Sequence, residues 1–131
     1  MRLWHQTLIP YLPRQQLLGQ HRELAALRGK SWGKKHSVVD YVFTHDPAYL
    51  VAYHYIVMNE MEKRGYKPDP SWRIDYYRGK ILGDHFNWCN QELLNILTTS
   101  NDIIYPEHND QYLQECLENL KAKGINIDLT K

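Results

Sequence analysis

Cysteine is scarce in this chain of 131 residues: Cys89 and Cys116 stand alone, without a Cys-x-x-Cys spacing. That favours buried thiols, in apolar-periodic segments, over a disulfide framework or a zinc site. Apolar runs of 18 or more residues are absent. So is an amino-terminal charged segment followed by an apolar stretch and a small-residue cleavage site. The expectation is a soluble, cytoplasmic protein. The chain also lacks a glycine-rich phosphate loop and a His-Glu-x-x-His pattern, which removes two familiar chemistries. With no low-complexity segment, long linker or internal repeat, and 43% hydrophobic residues, it reads as one domain over residues 1–131.

What the sequence does carry is a charge asymmetry hidden by a net charge of +1. Residues 1–40 hold Arg2, Arg14, Arg22, Arg28, Lys30, Lys34 and Lys35 against Glu23 and Asp40, a net +5. Residues 81–131 hold Lys121, Lys123 and Lys131 against eight acids, a net −5. Such polarity lets one face attract phosphate while the whole molecule stays near neutral; two ordinary solvated faces are the plainer reading.

The apolar spacing is mostly helical. Pro13 suits a first helical position, Leu17, Leu18, His21, Leu24, Ala25 and Arg28 follow at helical spacing, and Gly29 stops the run. Glu23 falls on a neighbouring stripe with Gln16, Gly19, Gln20 and Leu27, at the edge of the buried face. Lys30 to His36 reads as a basic loop broken by Gly33. Asp46 as N-cap and Pro47 as first residue open a second helix, whose stripe of Leu50, His54, Val57, Met58 and Met61 runs to Gly65 and marks it as the central core helix. Trp72 to Lys80 fits a short helix or a loop, Ile81 to Thr98 a third long helix, and Asp110 to Lys123 a last one ending at Gly124. The fold class predicted is all-α, a compact helical bundle with long loops.

Two constellations carry candidate chemistry. His45, His54, His85 and His108 lie near Asp46, Asp84 and Glu107, a set of donors from which a metal site could assemble in three dimensions. For His54, on the stripe of the central helix, a hydrogen-bonded core histidine is the simpler outcome. The other is Gln20-His21-Arg22-Glu23-Leu24, which sets a carboxylate on a helix surface within reach of a folded-back amino terminus. A terminal amine, with a pKa of about 7.7 to 8.0 against about 10.4 for lysine, is roughly a tenth unprotonated at neutral pH and is a ready nucleophile.

Arg22-Glu23-Leu24 with Gly29 beyond it, Lys34-Lys35-His36, and Tyr112-Leu113-Gln114-Glu115-Cys116-Leu117 leading to Lys123-Gly124-Ile125-Asn126-Ile127 together resemble the pyrimidine-dimer DNA glycosylase family, the phage endonuclease V-like enzymes. The resemblance covers about half the chain and leaves Val38 to Thr99 unmatched. It implies an all-α enzyme that removes a damaged base from duplex DNA and nicks the abasic strand by β-elimination, with no metal or organic cofactor, no obligate protein partner, and a monomeric state. It implies an α-amine nucleophile and Glu23 as the essential acid.

In that family the nucleophile belongs to a threonine exposed by loss of the initiator methionine; here Arg2 follows Met1, and a long charged second residue blocks that removal. The nucleophile expected here is therefore the Met1 amine. Arg22 is expected at a phosphate or base edge, and Arg2, Arg28, Lys30, Lys34 and Lys35 on the backbone around the lesion. Gln16 and His36 complete the DNA-facing set. Gln16 stands where the family has a histidine; it hydrogen-bonds but does not titrate, so His21 or His5 would have to replace it, or the substrate differs. Base chemistry in a duplex requires an extruded nucleotide, for which Trp4, Trp32, Tyr76 or Tyr77 offers a wedge or stacking surface, although core packing is the commoner fate of each. Two alternatives remain at this point: a binder of damaged or bent DNA that does not cut, and a metal-dependent hydrolase using the histidines.

Overall fold

The computed structural model describes residues 2–34 and 38–130, and these are helical, with no strand among them. Four α-helices form the frame: α1 (Arg14–Arg28), α2 (Pro47–Lys63), α3 (Gln91–Thr99) and α4 (Asp110–Ala122). Short 3-10 turns precede α1 (Gln6–Tyr11), precede α2 (Asp40–Thr44) and follow it (Pro70–Arg73).

The second helix is the centre, as its sequence predicts. Asp46 accepts from the Ala48 N–H, Pro47 opens the helix, and nine side chains are buried, including Tyr53, His54, Val57, Met58 and Met61. Apolar residues that far around its circumference need cover on several sides, which α1 and α3 supply. The first helix begins one residue later than expected, with Pro13 flanking it, and ends at Gly29. The last ends at Lys123 and Gly124, whose φ of 82° is the left-handed turn that glycine accepts cheaply.

The predicted third helix is corrected. Only Gln91–Thr99 is helical, opened by Asn90, whose side chain accepts from the Leu93 N–H. Before it, Gly79, Gly83 and Asn87 take positive φ, which a right-handed helix cannot contain, so the apolar residues spaced as if on one face sit on turns instead. Phe86, at helical spacing from Leu93, is 72% exposed. The segment from Trp72 to Lys80 resolves as the end of a 3-10 turn followed by irregular chain, with one isolated antiparallel bridge between Tyr77 and Asp84.

Both thiols are free and buried; burial pushes the Cys89 thiol up to about 12. The interior also holds neutral histidines. His108 Nδ1 accepts from the Gln6 N–H, so its proton sits on Nε2, which donates to the Tyr41 hydroxyl at 2.7 Å. Burial lowers His108 to about 3 and also lowers His5 and His54. When unfolded, each imidazole binds a proton at its ordinary value; when folded, only at a lower one. Stability is therefore fully present above pH 6.5 and is lost as pH falls toward about 3, on the order of several kcal/mol in all. Urea midpoints should start to fall between about pH 6.5 and 5, above the carboxylate range. His108→Gln, which keeps both hydrogen bonds, should flatten that slope; an unchanged midpoint over the same interval would contradict buried neutral histidines.

Candidate active site

Residues 3–5, near the amino end, are buried and bonded. The backbone of Leu3, Trp4 and His5 is in no regular element but close to α1 and α2. Its polar groups find side-chain partners. The Trp4 N–H donates to Gln20 Oε1 at 2.7 Å, the Tyr53 hydroxyl donates to the Trp4 carbonyl, and the Tyr112 hydroxyl donates to the Leu3 carbonyl. Chain ends are usually poorly ordered unless tied down, and here α1, α2 and α4 each contribute a tie.

Gln20 organises this end. Buried on α1, it uses both sides of its amide: Oε1 accepts from Trp4 N–H and the Tyr53 hydroxyl, while Nε2 donates to the Arg2 carbonyl at 3.0 Å and to Glu23 Oε2 at 3.2 Å. One amide thus fixes the backbone of Arg2 relative to the carboxylate three residues along the helix. The sequence shows Gln20 at the right spacing from Glu23, but its partners on the amino end and α2 come from tertiary structure.

Glu23 sits in a cleft of about 270 Å³ lined by Arg2, Trp4, Glu23, Val38, Asn119 and Lys123. Burial raises its pKa, opposed by the Arg2 backbone hydrogen bond and by the charges of Lys123 and Arg22. A half-buried carboxyl displaced toward neutrality, facing cations, is suited to both proton transfer and stabilisation of a developing positive charge. Lys123, from the end of α4, is a contributor that sequence spacing alone did not assign; it lies one hundred residues from Glu23 and only folding brings the two to one cleft.

The other predicted site residues separate into groups. Arg2 is half-buried with its guanidinium 5.7 Å from the Tyr112 ring centre. Arg22, Lys30 and Lys34 are exposed, and Gln16 is half-buried. Met1, Lys35 and His36 lie outside the described residues. Arg28 is a correction: it is fully buried, donating through Nη1 to the Trp72 carbonyl and through Nη2 to those of Ile74 and Tyr77. It also lies 5.1 Å from the Trp72 ring centre, and burial lowers its pKa to about 10, which leaves it charged at neutral pH. Its donors hold an irregular loop to α1 and do not face a phosphate.

The histidines offered in place of Gln16 are engaged as well. His5 accepts from the Thr7 N–H. Arg28, a donor only, obliges His54 Nδ1 to accept, so His54 Nε2–H donates to His21 Nδ1 at 2.8 Å. His54 is thus the hydrogen-bonded core histidine its position suggests. His45 pairs with Glu107 at 2.9 Å and His85 with Arg78 at 3.2 Å. Among the described residues no group of three His, Cys, Asp or Glu side chains could hold a metal ion. The aromatic wedge candidates are also committed: Trp4 is buried, Trp32 packs edge-on against Phe43 and Trp88, Tyr77 against Trp72, and Tyr76 against Phe86. No helix in the described residues is long and apolar enough to cross a membrane.

None of the curated proteins or solved structures compared with the chain matches it. A family model does. The model for pyrimidine dimer DNA glycosylase matches residues 1–74, the stretch that supplies Arg2, Trp4, Gln20, Glu23 and Tyr53, and by that match over more than half its length the chain belongs to the pyrimidine dimer DNA glycosylase family.

Proposed function

We propose that this chain, as a monomer on duplex DNA, releases a damaged pyrimidine and then cleaves the abasic strand, through a Schiff base between its terminal α-amine and the sugar. The observation that carries this is the Gln20 amide, which bonds to both the Arg2 carbonyl and Glu23. The amine belongs to the residue preceding Arg2, so it is tethered within one residue of the cleft that holds the carboxyl. A preorganised nucleophile beside an acid lowers the entropic part of the barrier.

The steps balance with these groups alone. The unprotonated amine attacks C1′; the bond to the base breaks, its electron pair leaving with the base, which takes up a proton. The amine gives up its proton, the C1′–O4′ bond opens with its electron pair going to O4′, which takes up a proton as the 4′-hydroxyl, and an iminium forms. Loss of a C2′ proton then expels the 3′ phosphate by β-elimination. Glu23 stabilises the cationic sugar in the first part and exchanges protons in the second. Lys123, Arg22 and Lys30 supply cations for the flanking phosphates, and a salt dependence of binding follows.

The test is covalent trapping. Tag-free protein with its native amino end, incubated with ultraviolet-irradiated or abasic duplex and borohydride, should yield a covalent protein–DNA band that disappears when the amine is blocked. Salt-sensitive binding without a band on either duplex would overturn the amine mechanism in favour of a non-catalytic binder of damaged DNA.

A further inference from the structure

The bridge between Tyr77 and Asp84 carries a turn that is held firmly and ends in an apolar side chain. Gly79 and Gly83 take φ values of 100° and 68°, the Gly83 N–H donates to the Gly79 carbonyl at 2.7 Å, and the Arg78 N–H donates to the Gly83 carbonyl at 2.9 Å. Beneath it the Arg78 guanidinium donates to the Arg28 carbonyl at 2.8 Å and the Gly29 carbonyl at 3.0 Å, and lies 4.7 Å from the Trp88 ring centre. The turn is therefore bolted to the carboxyl end of α1. Contact there is close: a Cβ on Gly29 would stand 3.1 Å from the Arg78 carbonyl oxygen.

At the tip, Ile81 is 77% exposed, more than any other large hydrophobic residue described. One exposed isoleucine is ordinary. Its setting is not, because exposed Lys80 precedes it and exposed Lys30 lines the same hollow of about 250 Å³, together with Ala25, Ala26 and Gly29. Ala26 lies on α1 one turn beyond Arg22, so the hollow continues the exposed face that leads to Glu23. Asp69 also feels the charge of Lys80, so a phosphate has to compete for that lysine.

An apolar tip that shares its hollow with two lysines and with small residues of α1 complements a duplex: the lysines suit phosphates, and the isoleucine suits the gap between base pairs. Aliphatic wedges of this kind unstack a step and kink the helix. A protein partner would call for a broader apolar patch. We infer that Ile81, at the tip of the 79–83 turn, is a wedge that enters the base stack of duplex DNA beside the lesion, with Lys80 and Lys30 on the flanking phosphates. This rests on the DNA-acting function above. Of the aromatic residues that the sequence offered for the task, Trp4 is buried and Trp32, Tyr76 and Tyr77 are half-buried against other rings, whereas Ile81 stands exposed.

The full chain, wild type and Ile81→Ala, would be titrated against two duplexes, one undamaged and one bearing a single tetrahydrofuran abasic analogue next to 2-aminopurine. Wild type should raise the 2-aminopurine fluorescence, reporting loss of stacking. Ile81→Ala should melt as wild type does and bind undamaged DNA equally, yet lose the fluorescence rise and bind the abasic duplex roughly tenfold more weakly, the worth of one buried aliphatic side chain. Ile81→Leu should retain both. Lys80→Gln should lower the salt slope of binding by about one. Wild-type binding and fluorescence reproduced in full by Ile81→Ala would overturn the wedge while leaving the DNA function standing. Absence of wild-type binding to either duplex would overturn both.

Discussion

Glu23→Gln should reduce base release and strand cleavage by on the order of a thousandfold, within the range that a positioned acid–base group contributes. DNA affinity should be nearly unchanged. The substitution keeps the shape of the side chain, and its amide oxygen still accepts from Gln20 Nε2, so the amino end stays fastened. Stability should not fall and should rise slightly at neutral pH. The sign follows from the raised pKa, whose chief cause is burial. The unfolded chain loses the Glu23 proton at the ordinary value and the folded chain only higher, so ionisation above that point opposes folding. Removing the carboxyl removes the opposition. For the same reason the acidic limb of the pH–rate profile for wild type should lie above the ordinary glutamate range. Single-turnover cleavage of an abasic duplex, with thermal melting of the same samples, reads all of these. Retained cleavage would deprive Glu23 of its role, and a melting point lowered by several degrees would assign it to structure.

The pairing of lost activity with kept stability separates this residue from those that build the site. Gln20 has four hydrogen bonds, two to the amino end, one to Tyr53 and one to Glu23. Truncating it leaves the buried Trp4 N–H without its acceptor and takes a donor from the Arg2 carbonyl and from Glu23, at about 1–3 kcal/mol for each buried group left unpaired, while the Tyr53 hydroxyl keeps the Trp4 carbonyl. Catalysis would be lost together with the anchorage. The division of labour is thus between a carboxyl that the fold tolerates and an amide that the fold requires.

Local signals explain what the sequence could disclose. Asp46, Pro47 and Gly65 bracket α2 with a cap, a preorganised first residue and a left-handed stop, and the stripe between them fills the core, so position and burial were both legible. Glu23 was legible as an acid at the rim of an amphipathic helix. Gln20 was visible as a neighbour, but its work depends on backbone groups of Arg2 and Trp4 that carry no side-chain signal. The segment from Ile81 to Asn90 misled for a related reason: Phe86 and Cys89 stand at helical spacing from Leu93, while Gly79, Gly83 and Asn87 hold backbone angles that periodicity ignores. Lys123 reached the cleft through the packing of α4, beyond any local pattern.

Arg28 gives the sharpest contrast between what a sequence suggests and what packing imposes, and its substitution is the second large effect expected. A cation in the last turn of a helix beside a basic loop reads as a phosphate ligand. Its neighbours convert it into an internal strut: three carbonyls from the loop after α2, the Nδ1 of His54 and the face of Trp72 surround it. Arg28→Met fills much of the same space without donors. It strands three carbonyls and breaks the chain of bonds from Arg28 through His54 to His21, so it should cost about 3–5 kcal/mol of stability, as loss of one partner in a buried charged network does. In urea the midpoint should drop while the exposed Arg22→Gln and Lys30→Gln variants stay near wild type. On DNA the order reverses. Each exposed substitution should lower the salt slope of binding by about 0.9, one phosphate's share, whereas Arg28→Met, assayed where it remains folded, should leave the slope unchanged. A stable Arg28→Met protein with a reduced salt slope would return Arg28 to the DNA surface and contradict its burial.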